Sequence, residues 1–315
     1  MIVKLLRIAP LAPVCLVLAG CPSALTQYKY QSETNYDKDK NARVSYLSMT
    51  TKGDAEMNTD AGQVKAGSSS AEISADGTNA SLKMPKDSVI ANQDVARNHD
   101  WDPNEIYGDK GNSVQVEHTT GLNEENDTFL TYHENKSSPQ VTELARGYAG
   151  TRSDASVIAG LRNQANHSAT YNGTGSAYVG QGEYDYFVDG SLQMTAQFSG
   201  AKAGLVGQIM QTAAPDLSKN PNGVNQVTFT GKFIDGSSDY SIGDIKLNAT
   251  GMASSGNPNG EVATITNGGG VGSFFGSHAQ GTMGTFSGAG QTTDSGQSPV
   301  NVIGSFQGKT ADNDP

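Results

Sequence analysis

The chain has 315 residues, 35% of them hydrophobic and 17% charged, with a formal net charge of −11. That acidity excludes a nucleic-acid role, because phosphate backbones are held by clustered Lys and Arg. The length admits one or two domains. Of the 38 glycines, 27 follow residue 167 without a collagen-like period, so they mark the turns and bends of a β region.

At the N-terminus, Lys4 and Arg7 precede an apolar core from Ile8 to Leu18, which is closed by Leu18-Ala19-Gly20-Cys21. The core is shorter than the roughly 20 residues of a transmembrane helix and carries Pro10 and Pro13, so residues 1–20 read as a cleaved targeting peptide. Small residues before a cysteine resemble the lipobox of bacterial lipoproteins. That resemblance implies cleavage between Gly20 and Cys21 and a diacylglycerol thioether on Cys21, which anchors the chain stably in a membrane. An ordinary secretory peptide with a leftover cysteine is the alternative. Pro22 stands where an Asp would signal inner-membrane retention, so the resemblance implies the outer membrane. With Cys15 removed and Cys21 lipidated, no thiol is left for a disulfide. Residues 21–41 are polar and aperiodic and read as a lipidated tether. The run Asp37-Lys-Asp-Lys-Asn41 does not continue as a calcium loop, because Ala42 and Ser48 replace the required Gly and Glu.

Residues 42–167 read as a mixed, β-rich handle domain. Its strand candidates are Val44–Met49, Ala80–Met84, Val114–His118 and Phe129–His133. Ser153–Gln164 reads as a short helix capped by Ser153 that buries Val157, Ile158 and Leu161. Residues 168–315 read as an eight-stranded antiparallel up-and-down β-barrel of lipocalin-like size. Its strand candidates are Ala169–Val179, Ser191–Ser199, Ala203–Met210, Gln226–Ile234, Asp239–Ala249, Gly270–Phe275, Thr282–Ser287 and Val300–Gln307. Val262–Ile265 is a further strand or an extension of its neighbour. The fold class is therefore mainly β.

A Phe-x-Gly unit recurs at Phe198, Phe229, Phe286 and Phe306. Residues two apart share a strand face, so each unit pairs a ring with an empty position on the same face and lets rings of neighbouring strands interleave, as a tapering barrel core requires. Gly268–Gly288 forms a hairpin around the link 276–281, with Phe274, Phe275 and Phe286 filling the core. A membrane-spanning barrel is disfavoured, because Lys202, Lys232, Asp244 and Lys246 interrupt any lipid-facing band.

The run Gly272-Ser-Phe-Phe-Gly276, then Gly281-Thr-Met-Gly-Thr-Phe286 and the closing Val302-Ile-Gly-Ser-Phe306, resembles the C-terminal barrel of transferrin-binding protein B. Ser277-His278-Ala279 replaces the family's proline-containing link, and Gly281–Met283 replaces its acidic residue and leucine. Tyr148-Ala-Gly-Thr151 followed by Ala169-Thr-Tyr-Asn-Gly173 is similar to the family's junction between handle and barrel. The resemblance covers residues 129–308. It implies a single-lobe surface lipoprotein, like the factor H-binding, haem-scavenging hemophilin and nematode-colonisation groups. Export through a Slam-type surface lipoprotein assembly partner and display on the cell exterior are also implied.

No G-x-S-x-G elbow and no H-E-x-x-H zinc motif occurs, so the reading is a non-enzyme without a metal site. Asn98-His-Asp-Trp-Asp102 places His99 beside Trp101, the single Trp, with Tyr107 close behind. Such a set could ligate and wall a haem, or Trp101 could simply anchor its loop while His99 is solvated. The loop Ala213–Gly223 holds two prolines that pre-order it at a barrel rim, as either a protein contact or a plain connector. The leading expectation is capture of a host or environmental protein or glycan in host interaction or colonisation. The alternative is haem or iron-carrier capture for uptake through an outer-membrane receptor.

Overall fold

A computed structural model describes residues 42–51, 64–75, 79–83, 93–96, 105–108, 112–119, 126–135, 140–181, 184–250 and 260–311. The leader, Gly20, Cys21 and the tether lie outside these residues, as do His99 and Trp101.

Eight strands precede the helix: β1 (Ala42–Thr51), β2 (Val64–Ala75), β3 (Asn79–Lys83), β4 (Gln93–Ala96), β5 (Glu105–Gly108), β6 (Asn112–Thr119), β7 (Asn126–Asn135) and β8 (Gln140–Gly150). They form one antiparallel sheet of order β4-β3-β2-β1-β8-β7-β6-β5, with β1 and β8 side by side in the middle. The region is thus richer in strands than the four sequence candidates. β8 escapes pattern reading because Leu144 through Ala149 are all buried, which erases the period-two alternation. β2 escapes because Gly67-Ser68-Ser69-Ser70-Ala71 contains no β-branched or aromatic residue.

After the helix α1 (Ala155–Asn163) come β9 (Ser168–Gln181), β10 (Tyr184–Gln197), β11 (Gly204–Gln211), β12 (Gln226–Phe233), β13 (Asp239–Asn248), β14 (Glu261–Phe275), β15 (Gly281–Thr292) and β16 (Pro299–Thr310). Each pairs with its successor, and β16 returns to pair with β9, closing the barrel. The expected eight-stranded up-and-down barrel is therefore present. Val262–Ile265 belongs to β14, which continues past a register shift at Ile265/Asn267. β10 begins well before Ser191. Tyr186 and Val188 point inward there, while the alternating Asp185 and Asp189 disguise the strand in the sequence.

The recurring phenylalanines do fill the barrel and interleave across neighbouring strands, but over glycines outside their own Phe-x-Gly units. Three of the four rings lie over a glycine directly across the ladder, on a neighbouring strand. Phe229 covers Gly207, Phe306 covers Gly284 and Phe286 covers Gly304, and a Cβ on any of these glycines would collide with the ring. Tyr240 covers Gly272 in the same way. The glycine at the end of the first Phe-x-Gly unit, Gly200, instead takes a left-handed turn at φ +92°. Phe275 corrects a second expectation. It follows Phe274 on the opposite face of β14, leaves the barrel interior, and packs with Tyr148 of β8 and Met283.

Candidate functional site

The barrel is a packed core rather than a cup. Phe229 stacks on Phe306 at 4.8 Å between centroids, and Phe286 lies 6.0 Å from Phe229. Towards the end where β9 begins, Phe274 meets Phe198, Tyr171 and Tyr240 at 5.1–5.7 Å. All of these rings are buried in one cluster with Leu192, Ile209 and Val227.

That end is closed. Ile158 and Leu161 of α1 join the barrel core, with Val157 half-buried against it. The helix is capped by Asp154, whose carboxylate accepts the Ser156 N–H at 2.7 Å, rather than by Ser153. Ser153 is buried and staples the helix entry to the β14–β15 hairpin, donating its hydroxyl to the Gly276 carbonyl at 2.6 Å. Its own N–H reaches the Phe274 carbonyl at 2.8 Å. Ala279, at φ +59°, tucks into the core from the hairpin link, and its carbonyl accepts the Tyr171 hydroxyl at 2.7 Å. His278 stands exposed at the tip, its Nδ1 beside the Ser277 hydroxyl. Arg162 lies over the Phe233 ring and pairs with Asp235.

At the opposite rim, the described residues form polar loops. In loop 212–225, Asn220 is buried, and its amide both donates to the Val224 carbonyl at 2.7 Å and accepts the Val224 N–H at 3.0 Å. Asn225 performs the same double service for Thr250. Asp216 opens a tight turn by accepting both the backbone N–H and the hydroxyl of Ser218. Those bonds hold its carboxyl below the ordinary carboxylate range. Gly223, at φ +63°, supplies the left-handed residue that the loop needs to return to β12. The result is a shaped loop with buried Pro215 beneath it and Leu217 52% exposed on top. Across the same rim, the 293–298 turn is fixed by Asp294, which accepts the Thr292 hydroxyl and the Gln297 N–H. Tyr184 adds a second exposed apolar residue where β10 begins.

Of the site residues expected from sequence, Tyr107 lies on β5, opposite Val114 of β6. Gly20, Cys21, His99 and Trp101 lie outside the described residues. Of the His99, Trp101 and Tyr107 set, only Tyr107 lies within the described residues. The rim loop was visible as a Pro-containing segment, but Leu217 as its exposed apex was not. Its signal was a single apolar residue flanked by Asp216 and Ser218. Among the described residues, no three His, Cys, Asp or Glu side chains converge as a metal site, and no helix is long and apolar enough to cross a membrane.

No family model matches the chain, and no curated protein matches it. It is similar to several solved structures, three of which follow. Intact Ap-TbpB, with its N and C lobes, gives a TM-score of 0.42 at 16% identity, over 86% of this chain and 46% of that one, so the chain spans about half its length. A variant of transferrin binding protein B from Haemophilus parasuis Hp5 gives 0.33 at 11% identity, over 86% and 76%. HpuA from Kingella denitrificans, solved in complex with human haemoglobin, gives 0.36 at 13% identity, over 90% and 92%. Two of the three carry the family name suggested by the hairpin residues.

Proposed function

We propose that this chain is a lipid-anchored outer-membrane protein displayed on the cell exterior, which captures a host or environmental macromolecule with the outer rim of its barrel. The observation that carries this reading is the filled interior. Stacked Phe229 and Phe306 occupy the space that a lipocalin-type ligand would need, and α1 closes one end. Binding is thereby directed to the outside of the molecule, where a macromolecule can be met. At the far rim, loop 212–225 is ordered in advance by Asn220, so little entropy is lost when Leu217 is buried against a partner. Anchoring rests on Cys21, and export through a Slam-type partner rests on the sequence resemblance. Haem capture through His99, Trp101 and Tyr107 is the competing proposal.

Two measurements test this. Titration of the mature chain with a fluorescent fatty acid should give no saturable binding, and uptake of one equivalent would sink the reading. Protease shaving of intact cells should degrade the protein. Protection until the outer membrane is broken would place it on the periplasmic side.

A further inference from the structure

The sheet meets the barrel wall through directional polar contacts, several of which converge on one carboxylate. Asp239, the first residue of β13, is buried. Its Oδ2 accepts Nη2 of Arg43 from β1 at 2.6 Å and Nε of the same guanidinium at 3.2 Å. Arg152, from the segment between β8 and α1, donates to both carboxylate oxygens at 3.0 Å. Ser273 of β14 donates its hydroxyl to Oδ1 at 2.6 Å. The Ser273 proton is thus committed, so at 2.9 Å the Tyr148 hydroxyl from β8 must be the donor to Ser273. Tyr148 is buried, and burial keeps its phenol neutral and able to donate.

A second buried cation lies on the same strand as Tyr148. Arg146 is 4% exposed and donates from Nη1 to the Ser176 carbonyl on the outer face of β9 at 3.0 Å. Its own carbonyl accepts the Thr285 hydroxyl of β15 at 2.8 Å.

Buried charge pairs add little adhesion compared with apolar contacts, yet stranding one partner is severely unfavourable. They therefore constrain direction more than they contribute attraction. Between the sheet and the barrel, the apolar contact of Tyr148, Phe275 and Met283 sits beside this network. An apolar patch tolerates sliding, whereas Asp239 satisfies Arg43, Arg152 and Ser273 together in only one pose. Removing its charge would take from both guanidinium groups the carboxylate they share.

We propose that Asp239 is the pivot that fixes the sheet on the barrel, making the two a single rigid body with one composite outer surface.

The test is a distance distribution between two spin labels. Expressed from residue 22, the chain holds no native cysteine, because Cys15 and Cys21 are its only two. One label pair joins Lys83→Cys on the sheet to Lys232→Cys on the barrel, and a control pair joins Thr170→Cys to Lys232→Cys within the barrel. All three positions are exposed. The parent should give one narrow sheet–barrel distribution. Asp239→Asn should broaden it about twofold or more while the control stays narrow. Arg43→Gln leaves the barrel sequence intact and should broaden the same pair. Unchanged sheet–barrel widths in both variants would overturn the proposal. So would a control pair that broadens in Arg43→Gln, because the effect would then be general loosening.

Discussion

The two ends of the barrel are built on opposite terms. At one, α1 and the β14–β15 link push Ile158, Leu161 and Ala279 into the aromatic core. At the other, polar side chains shape the loops: buried Asn220 and half-buried Asn225 each bond in both directions to backbone. The closed end contributes burial, and burial is what holds a fold together. The far rim keeps its loop shape through hydrogen bonds and leaves Leu217 uncovered. Hydrogen bonds of this kind add modest net stability but define geometry strictly. The contrast assigns stability to one end and contact to the other.

That assignment can be broken by substitution. Phe274→Ala, which empties the cluster under α1, should lower stability by about 3–5 kcal/mol in urea unfolding, as truncation of a buried ring does. A loss below about 1 kcal/mol would mean that the closed end is not the stabilising one. Asn220→Ala strands the N–H and carbonyl of Val224 and should lower stability by about 1–3 kcal/mol. It should also speed proteolytic cleavage within 212–225, while cleavage elsewhere is unaffected. Asp154→Ala removes the helix cap, and hydrogen exchange should accelerate in α1 alone.

Acid is expected to act on both ends alike. Hydrogen bonds from Ser156 and Ser218 respectively hold Asp154 and Asp216 below the ordinary carboxylate range. A lowered carboxylate pKa contributes stability above the unfolded value of about 4, and that contribution is lost as pH falls through the folded value. Helix and rim loop should therefore loosen together below about pH 4 in exchange measurements. Loosening of one end well above that pH would contradict the assignment. Leu217→Asp should have the smallest effect on the fold, within about 0.5 kcal/mol of the parent in urea unfolding, because the side chain already faces solvent.

Much of the barrel was legible because its signals are local. Alternation marks β12, β13 and β16, and the glycine–phenylalanine hairpin marks β14 and β15. What stayed hidden depends on which residues meet. Phe229 announces a ring, but that Gly207 lies beneath it depends on the register of β11 against β12. Phe275 reads like its neighbour Phe274 until the strand's pleat sends it to the sheet. Ser153 is a good cap by type, and only its bond to Gly276 shows why Asp154 holds that place instead. The pivot was the least legible feature. Arg43 and Asp239 are 196 residues apart in sequence, and neither sits in a motif. Leu217 was hidden for a related reason, since exposure at a loop apex is decided by the buried Pro215 and Asn220 beneath it.

The most direct test of the account is capture by the far rim. The mature, unlipidated chain would be immobilised and exposed in parallel to host fluid and cell extract, alongside Leu217→Asp with an equal unfolding midpoint. The account predicts a retained macromolecule that is lost, or reduced at least tenfold, with Leu217→Asp. A macromolecule retained equally by both proteins would contradict it and move the binding surface away from the rim.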